Sequence, residues 1–144
     1  MKILMCVDLS KSTDEIVNTS LKFKNGLIEK LWILHIVESE PDFVGFGVGP
    51  QSVRNSYAKE FHDEHCQIQE IADKLRSIGL DTIAILTQGS TVETILKEAK
   101  NLKADMIILG SHGHGAVYDL LVGGVTEGVL RKSECPVLVV PTHD

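Results

Sequence analysis

The sequence predicts an α/β fold: a doubly wound, five-stranded, mainly parallel sheet with helices on both faces. Three observations carry that prediction. Short apolar runs alternate with longer stretches whose apolar residues recur at spacings of three, four and seven. Several runs are apolar at almost every position, as strands buried on both faces require. Each link between runs is long enough to hold a helix, the crossover that parallel neighbours need.

Lys2 to Val7 is a run of strand length. Ser10, Ser12 and Asp14 follow as turn and cap residues. Ser12-Thr13-Asp14-Glu15 has the form of a capping box, so a helix is expected to begin there. It would carry Ile16, Val17, Leu21 and Phe23 toward the core and stop at Asn25-Gly26. Leu31 to Val37 is the second strand. From Glu38 to about Asn55 the pattern is broken by Pro41, Gly45, Gly47, Gly49 and Pro50, which predicts a long irregular connection.

Tyr57, Phe61, Ile68, Ile71, Ala72, Leu75 and Ile78 then make one apolar stripe on a long helix that Gly79 ends. Thr82 to Thr87 is the third strand. Ser90-Thr91-Val92-Glu93, a second capping box, opens a helix to about Asn101. Ala104 to Leu109 is the fourth strand, and Gly110 to Gly124 is glycine-rich. A short helix runs from about Val125 to Lys132, and Pro136-Val137-Leu138-Val139-Val140 is the last strand.

Composition narrows the function classes. The chain's 144 residues suit one domain over 1–144, and 43% hydrophobic with 24% charged residues is ordinary globular composition. A net charge of −6 weighs against sequence-independent nucleic-acid binding, which needs a basic face. It leaves room for one small anion held by backbone N–H groups. No apolar run is long enough to span a bilayer, so no membrane association is expected. The opening residues turn acidic at Asp8 and lack a small-residue cleavage site, so no signal peptide is expected. Cys6, Cys66 and Cys135 are odd in number and widely spaced, which suits reduced thiols and a cytoplasmic location.

A doubly wound sheet binds ligands beyond the carboxyl ends of its strands, where the strand order reverses. Asp8 follows the first strand and Gly110 the fourth. If those strands are neighbours, both groups face one crevice. The segment between them in function is Gly110-Ser111-His112-Gly113-His114-Gly115, leading to Gly123-Gly124-Val125 at the start of a helix. Glycines let the backbone approach a ligand, and the first amides of a helix favour a phosphate. Spacing alone leaves a polyphosphate cradle and a plain glycine-rich turn equally open. A Walker A loop is excluded, since Gly115 is followed by Ala116 and Val117 rather than Lys and Ser or Thr. Gly113-x-Gly115 does not extend to a third glycine, because position 118 is Tyr.

The glycine intervals resemble those of the universal stress protein family, whose nucleotide-binding members carry Gly, two residues, Gly, nine residues, then Gly with Ser or Thr. Gly110, Gly113 and Gly123 match in position. So do Val7-Asp8-x-Ser10, Leu34-His35-Ile36, Gly110-Ser111-His112-Gly113 and Cys135-Pro136-Val137-Leu138-Val139-Val140, in order along nearly the whole chain. The resemblance implies a Rossmann-like fold of the adenine nucleotide alpha hydrolase-like kind. It further implies a sensor or regulator in the stress response that binds ATP, with Mg²⁺, or another adenine nucleotide.

Carried over by position, Cys6, Val7 and Asp8 lie at the adenosine, and Ile36 offers the base backbone or apolar contact. Leu109, Gly110 and Gly113 line the ribose and phosphate path, with His114 where the family often has a basic residue. Gly123, Gly124 and Val125 hold the terminal phosphates. One departure stands out: Gly124 occupies the place of the family's Ser or Thr. A hydrogen bond to a charged group is worth about 1.5–3 kcal/mol, so the missing hydroxyl is expected to weaken nucleotide binding about ten- to hundredfold. Gly128, inside the last helix, costs up to ~1 kcal/mol relative to Ala and is expected to loosen this end.

No catalytic residue and no metal site are assigned. Hydrolysis is expected to be slow, since no general base or arginine finger is evident. Two alternatives remain: a stress protein acting through protein partners alone, and an ATP hydrolase or nucleotidyltransferase using His112 and His114. Asp8 could bond a ribose hydroxyl or merely cap the next turn. His62, His65 and Cys66 lie one helical turn apart, which suits either a metal or a solvated face, though they do not complete a zinc shell. His35 reads as paired within the fold, His143 as a terminal residue, Cys6 and Cys135 as inert core thiols, and Trp32 as core. If the last strand is a sheet edge, its apolar residues need cover. The resemblance implies a homodimer paired through Pro136–Val140.

Overall fold

A computed structural model describes residues 1–37, 51–111 and 124–142, with the backbone alone at 51–57. Nine elements alternate: β1 (Lys2–Cys6), α1 (Ser12–Leu21), β2 (Lys30–Val37), α2 (Gln51–Ser77), β3 (Thr82–Gln88), α3 (Thr91–Asn101), β4 (Met106–Gly110), α4 (Val125–Lys132) and β5 (Val137–Val140). The five strands form one sheet in the order β3-β2-β1-β4-β5, and every pair is parallel. The chain therefore builds outward from β1 to β3, crosses back through α3, and builds the other way through β4 and β5. The reversal lies between β1 and β4, as the doubly wound reading requires.

The period-two alternation of β1 divides the core. Ile3, Met5 and Val7 join Leu31, Ile33 and Ile108 beneath α1 and α2, whose Ile16, Ile68, Ala72 and Leu75 cover them. Leu4 joins Leu34, Ile107 and Leu109 on the opposite face, covered by Ile95 and Ala99 of α3 and Val129 of α4. Each fully buried aliphatic side chain contributes ~1.5–3 kcal/mol, so β1 anchors both layers. Asp105 secures its start: the carboxylate accepts the Lys2 N–H at 2.6 Å, and the Asp105 N–H donates to the Lys2 carbonyl at 2.7 Å. Trp32 is half-buried against the second layer. No helix among the described residues is long and apolar enough to cross a membrane.

Several local expectations differ from the structure. The box at Ser12–Glu15 does not cap α1: Lys11 precedes the helix with helical backbone angles, and Ser12 is already inside it and buried. Ser10 takes over, accepting the Ser12 N–H on its hydroxyl at 3.2 Å. The helix then ends at Leu21, and a run of turns to Leu27 includes Gly26 at φ 80°, so Phe23 falls outside it. At the other box, Ser90 does stand before α3, and its hydroxyl bonds the Glu93 carboxylate.

The connection expected as far as Asn55 is shorter, because α2 already begins at Gln51; residues 38–50 lie outside the described set. α2 is about 40 Å long at ~1.5 Å per residue, whereas β3 spans about 23 Å. Its apolar stripe outruns the sheet. Ile68, Ala72 and Leu75 are buried, while Phe61 and Ile78 are 42% and 45% exposed. Gly128, expected to loosen the last helix, has a packing reason. A Cβ there would lie 2.8 Å from Val92 Cγ2, so the glycine lets α4 press closely on α3.

Candidate functional site

The crevice opens where β1 loses its second partner. β1 runs alongside β2 to Cys6↔Leu34, and the Val7 N–H continues the contact to the Leu34 carbonyl at 2.9 Å. Its pairing with β4 reaches only Met5↔Ile108. Beyond that point the two strands no longer pair with each other, while Cys6 and Val7 still bond β2 and Leu109, Gly110 and Ser111 still bond β5. Thus Asp8 and Gly110 do fall at adjacent strand ends, on either side of the reversal.

Asp8 enters a tight turn with Leu9 at φ 61°. One carboxylate oxygen, Oδ1, accepts the Ser10 N–H at 3.0 Å and the Ser10 hydroxyl at 2.6 Å. No donor among the described residues reaches Oδ2. Asp8 therefore caps the turn and still keeps an acceptor for a hydroxyl or amine. Behind it, His35 on β2 is buried and its Nδ1–H donates to the Val7 carbonyl at 2.9 Å. A carbonyl only accepts, so this contact sets the imidazole tautomer and fixes the peptide leading into Asp8. His35 Nε2 lies 3.6 Å from Glu64 Oε2 on α2. The histidine is thus paired within the fold, as expected.

Cys6 packs against the α3–α4 layer, and burial pushes its thiol pKa up, so it stays a neutral thiol. Leu109 is buried with its side chain in that layer, which leaves only its backbone for a ligand. Ile36 is half-buried in the same layer and pairs Thr87 on β3.

Across the crevice, one contact fixes the start of α4. The Thr126 hydroxyl donates to the Gly110 carbonyl at 2.9 Å, tying the helix's first turn to the end of β4. Ser111 holds the same strand end from the other side: its N–H donates to the Val140 carbonyl at 2.8 Å, and its hydroxyl accepts the Thr142 N–H at 3.0 Å. Gly124 precedes α4 in extended conformation without a side-chain cap, and its carbonyl accepts the Gly128 N–H at 3.0 Å. The Val125 and Thr126 amides come before that bond and have no acceptor within the helix. Among the described residues, a Cβ built on Gly124 meets nothing within 4 Å. Glu127 lies in the same turn, and its carboxylate is drawn to Arg131 at 2.6 Å. The arrangement suits an anion with an attached hydroxyl-bearing group.

Gly113, His114 and Gly123 lie outside the described residues, as do His112 and His143. Thr126, Ser10 and the His35–Val7 contact were not read as site features from the sequence. A threonine beside a glycine pair at a helix start was the available signal for Thr126. His62 Nε2 and Cys66 Sγ approach to 3.7 Å on exposed α2, yet no group of three or more His, Cys, Asp or Glu among the described residues could hold a metal.

Comparison with known proteins identifies relatives of the whole chain. Universal stress protein MJ0577 of Methanocaldococcus jannaschii is 30% identical over 152 residues, spanning 96% of this chain and 93% of the relative. The solved structure of hypothetical protein MJ0577, presented as a structure-based assignment of biochemical function, has a TM-score of 0.84 at 29% identity and covers 99% and 96% of the two chains. Two solved structures share the fold at lower identity. One is a universal stress protein in complex with cAMP (TM-score 0.69, 22% identity, 99% and 98% covered). The other is a universal stress protein family protein of Arabidopsis thaliana with AMP bound (TM-score 0.70, 19% identity, 99% and 93% covered). Residues 1–141 match the model of the Universal stress protein family, and the chain belongs to that family.

Proposed function

We propose that this universal stress protein binds an adenine nucleotide, ATP in first place, in the crevice between the carboxyl ends of β1 and β4, and acts as a cytoplasmic sensor or regulator. The observation that carries the proposal is the Thr126–Gly110 bond, which holds the unpaired amides of α4 next to the end of β4. Helix-start amides favour phosphate through both hydrogen bonding and the helix dipole. The cAMP and AMP found in two proteins of this fold support the adenine choice.

In this reading Asp8 Oδ2 accepts a ribose hydroxyl, with Cys6, Val7 and Ile36 beside the adenosine. Leu109 and Gly110 contribute backbone along the phosphate path, continued by Gly113 and His114. Gly123, Gly124 and Val125 receive the terminal phosphates. Mg²⁺ bound with ATP would offset charge between the phosphates and Glu127. The odd number and wide spacing of Cys6, Cys66 and Cys135 support a reducing compartment.

Calorimetric titration with ATP, with and without Mg²⁺, tests the proposal. One site per chain is expected; absence of heat and of any thermal shift at millimolar ATP would overturn it in favour of a family member acting through protein partners alone. The same proposal includes a homodimer. β5 is a sheet edge, and Val137, Leu138 and Val139 are only half-buried. Pairing Pro136–Val140 with a second copy would cover that edge. Light scattering should then give about twice the 15.8 kDa of one chain.

A further inference from the structure

We propose that the groove between the carboxyl ends of α3 and α4 docks an acidic peptide segment of a partner protein, one that carries an apolar anchor. The groove has a volume of about 650 Å³ and lies at the amino-terminal end of β4 and β5, the opposite end of the sheet from the crevice. Four lysines and one glutamate rim it: Lys97 and Lys100 on α3, Lys103 just after α3, Lys132 at the end of α4, and Glu134 beyond it. All four lysines are exposed, in a chain whose net charge is −6.

Local structure accounts for only part of this cluster. Lys100 and Lys132 occupy last turns, where a cation complements the helix dipole. Lys100 also has a loose partner, Glu134, at 3.8 Å, with both side chains largely exposed. Lys97 lies before the last turn, and Lys103 is the left-handed residue that ends α3, at φ 51° with its N–H donated to the Lys100 carbonyl at 3.2 Å. Neither ammonium has an acidic partner among the described residues. Helix-end complementarity thus extends to Lys103 but not to Lys97, and both ammonium groups stay available at the rim.

The occupant follows from the lining. Leu96, Ala104 and Cys135 give the groove an apolar floor, which a purely charged ligand would not use. The negative ends of two helices point into it, so a small bare anion is disfavoured at the bottom. Anionic groups belong at the rim, several at once, above an apolar side chain on the floor. A peptide bearing several carboxylates and an aliphatic residue meets both demands. Nucleic acid fits less well, since no aromatic side chain among the described residues lines the groove for base stacking.

Fluorescence anisotropy with a labelled peptide of repeated Glu-Leu-Glu-Glu units provides the test. Its Gln-Leu-Gln-Gln counterpart and an oligo-dT strand serve as comparisons. The acidic peptide should bind, more weakly as salt rises, and the neutral one should not. Lys97→Glu with Lys103→Glu should lower affinity about tenfold or more. The charge-matched control, Lys22→Glu with Lys24→Glu on the turn after α1, should change it less than about twofold. Thermal unfolding checks each fold, and Lys97→Gln with Lys103→Gln replaces the reversal if that variant is unstable. No peptide binding, equal loss in the control, or tighter oligo-dT binding through the same lysines would overturn the proposal.

Discussion

Replacing Gly128 with alanine opposes two effects of known sign. In a helix interior the change gains ~1 kcal/mol from propensity alone. Against this, the new Cβ would stand 2.8 Å from Val92 Cγ2 and 3.3 Å from Cγ1. Carbon atoms rest ~3.5–4.0 Å apart, so the closer contact must open by about 0.7 Å or more. Val92 is β-branched and holds one preferred rotamer in a helix, which leaves displacement of α4 from α3 as the main relief. Overpacking of this kind costs ~1–3 kcal/mol, so the net expectation is a loss of about 1 kcal/mol, or about 3–5 °C in Tm. Val92→Ala removes both obstructing methyls, and in that background Gly128→Ala should instead gain about 1 kcal/mol. Urea unfolding of the four proteins measures the coupling. Equal stabilisation by Gly128→Ala in both backgrounds would refute the steric reasoning.

Gly124→Ser should tighten ATP binding about ten- to hundredfold by calorimetry, because the added side chain meets nothing among the described residues and can donate to phosphate. The same change should raise stability by a few tenths of a kcal/mol through N-capping, and unchanged affinity would count against phosphate at this helix start. The Ser90 hydroxyl, first among the causes, holds the Glu93 carboxyl below its usual range. A lowered folded-state pKa stabilises above the unfolded carboxylate range and is lost as pH falls through the folded value. Ser90→Ala should therefore move the Glu93 NMR titration upward and cost stability at neutral pH, with the difference vanishing in acid. Alkylation followed by mass spectrometry should label exposed Cys66 first and leave Cys6 unmodified near neutral pH, because burial keeps that thiol protonated.

The sheet was legible because doubly buried strands leave uninterrupted apolar runs that little else imitates. Helix ends were harder to read. Ser12 and Ser90 head the same four-residue pattern, yet only Ser90 stands outside its helix. The Asp8–Ser10 turn had already supplied the cap for α1, and pattern matching along the chain does not register that competition. The stripe on α2 gave the helix but not its overhang, since burial of Phe61 depends on where β3 ends. Asp8 and Gly110 were both visible as strand ends. Their adjacency depended on β4 lying beside β1, and Thr126 mattered only once that adjacency was fixed. Gly128 was misread because its reason is a neighbour on another helix.

The place of β1 in the middle of the sheet has a consequence for biosynthesis. This strand leaves the ribosome well before β4, yet Ile3 pairs with Met106, and the Lys2 amide waits for a carboxylate 103 residues later. At ~5–20 residues per second, its open edge stays unpaired for about 5–20 s in every round of translation. During that interval Ile3, Leu4 and Met5 form an adhesive strip on a half-made sheet. Factors that shelter nascent chains would act on this protein chiefly before β4 emerges.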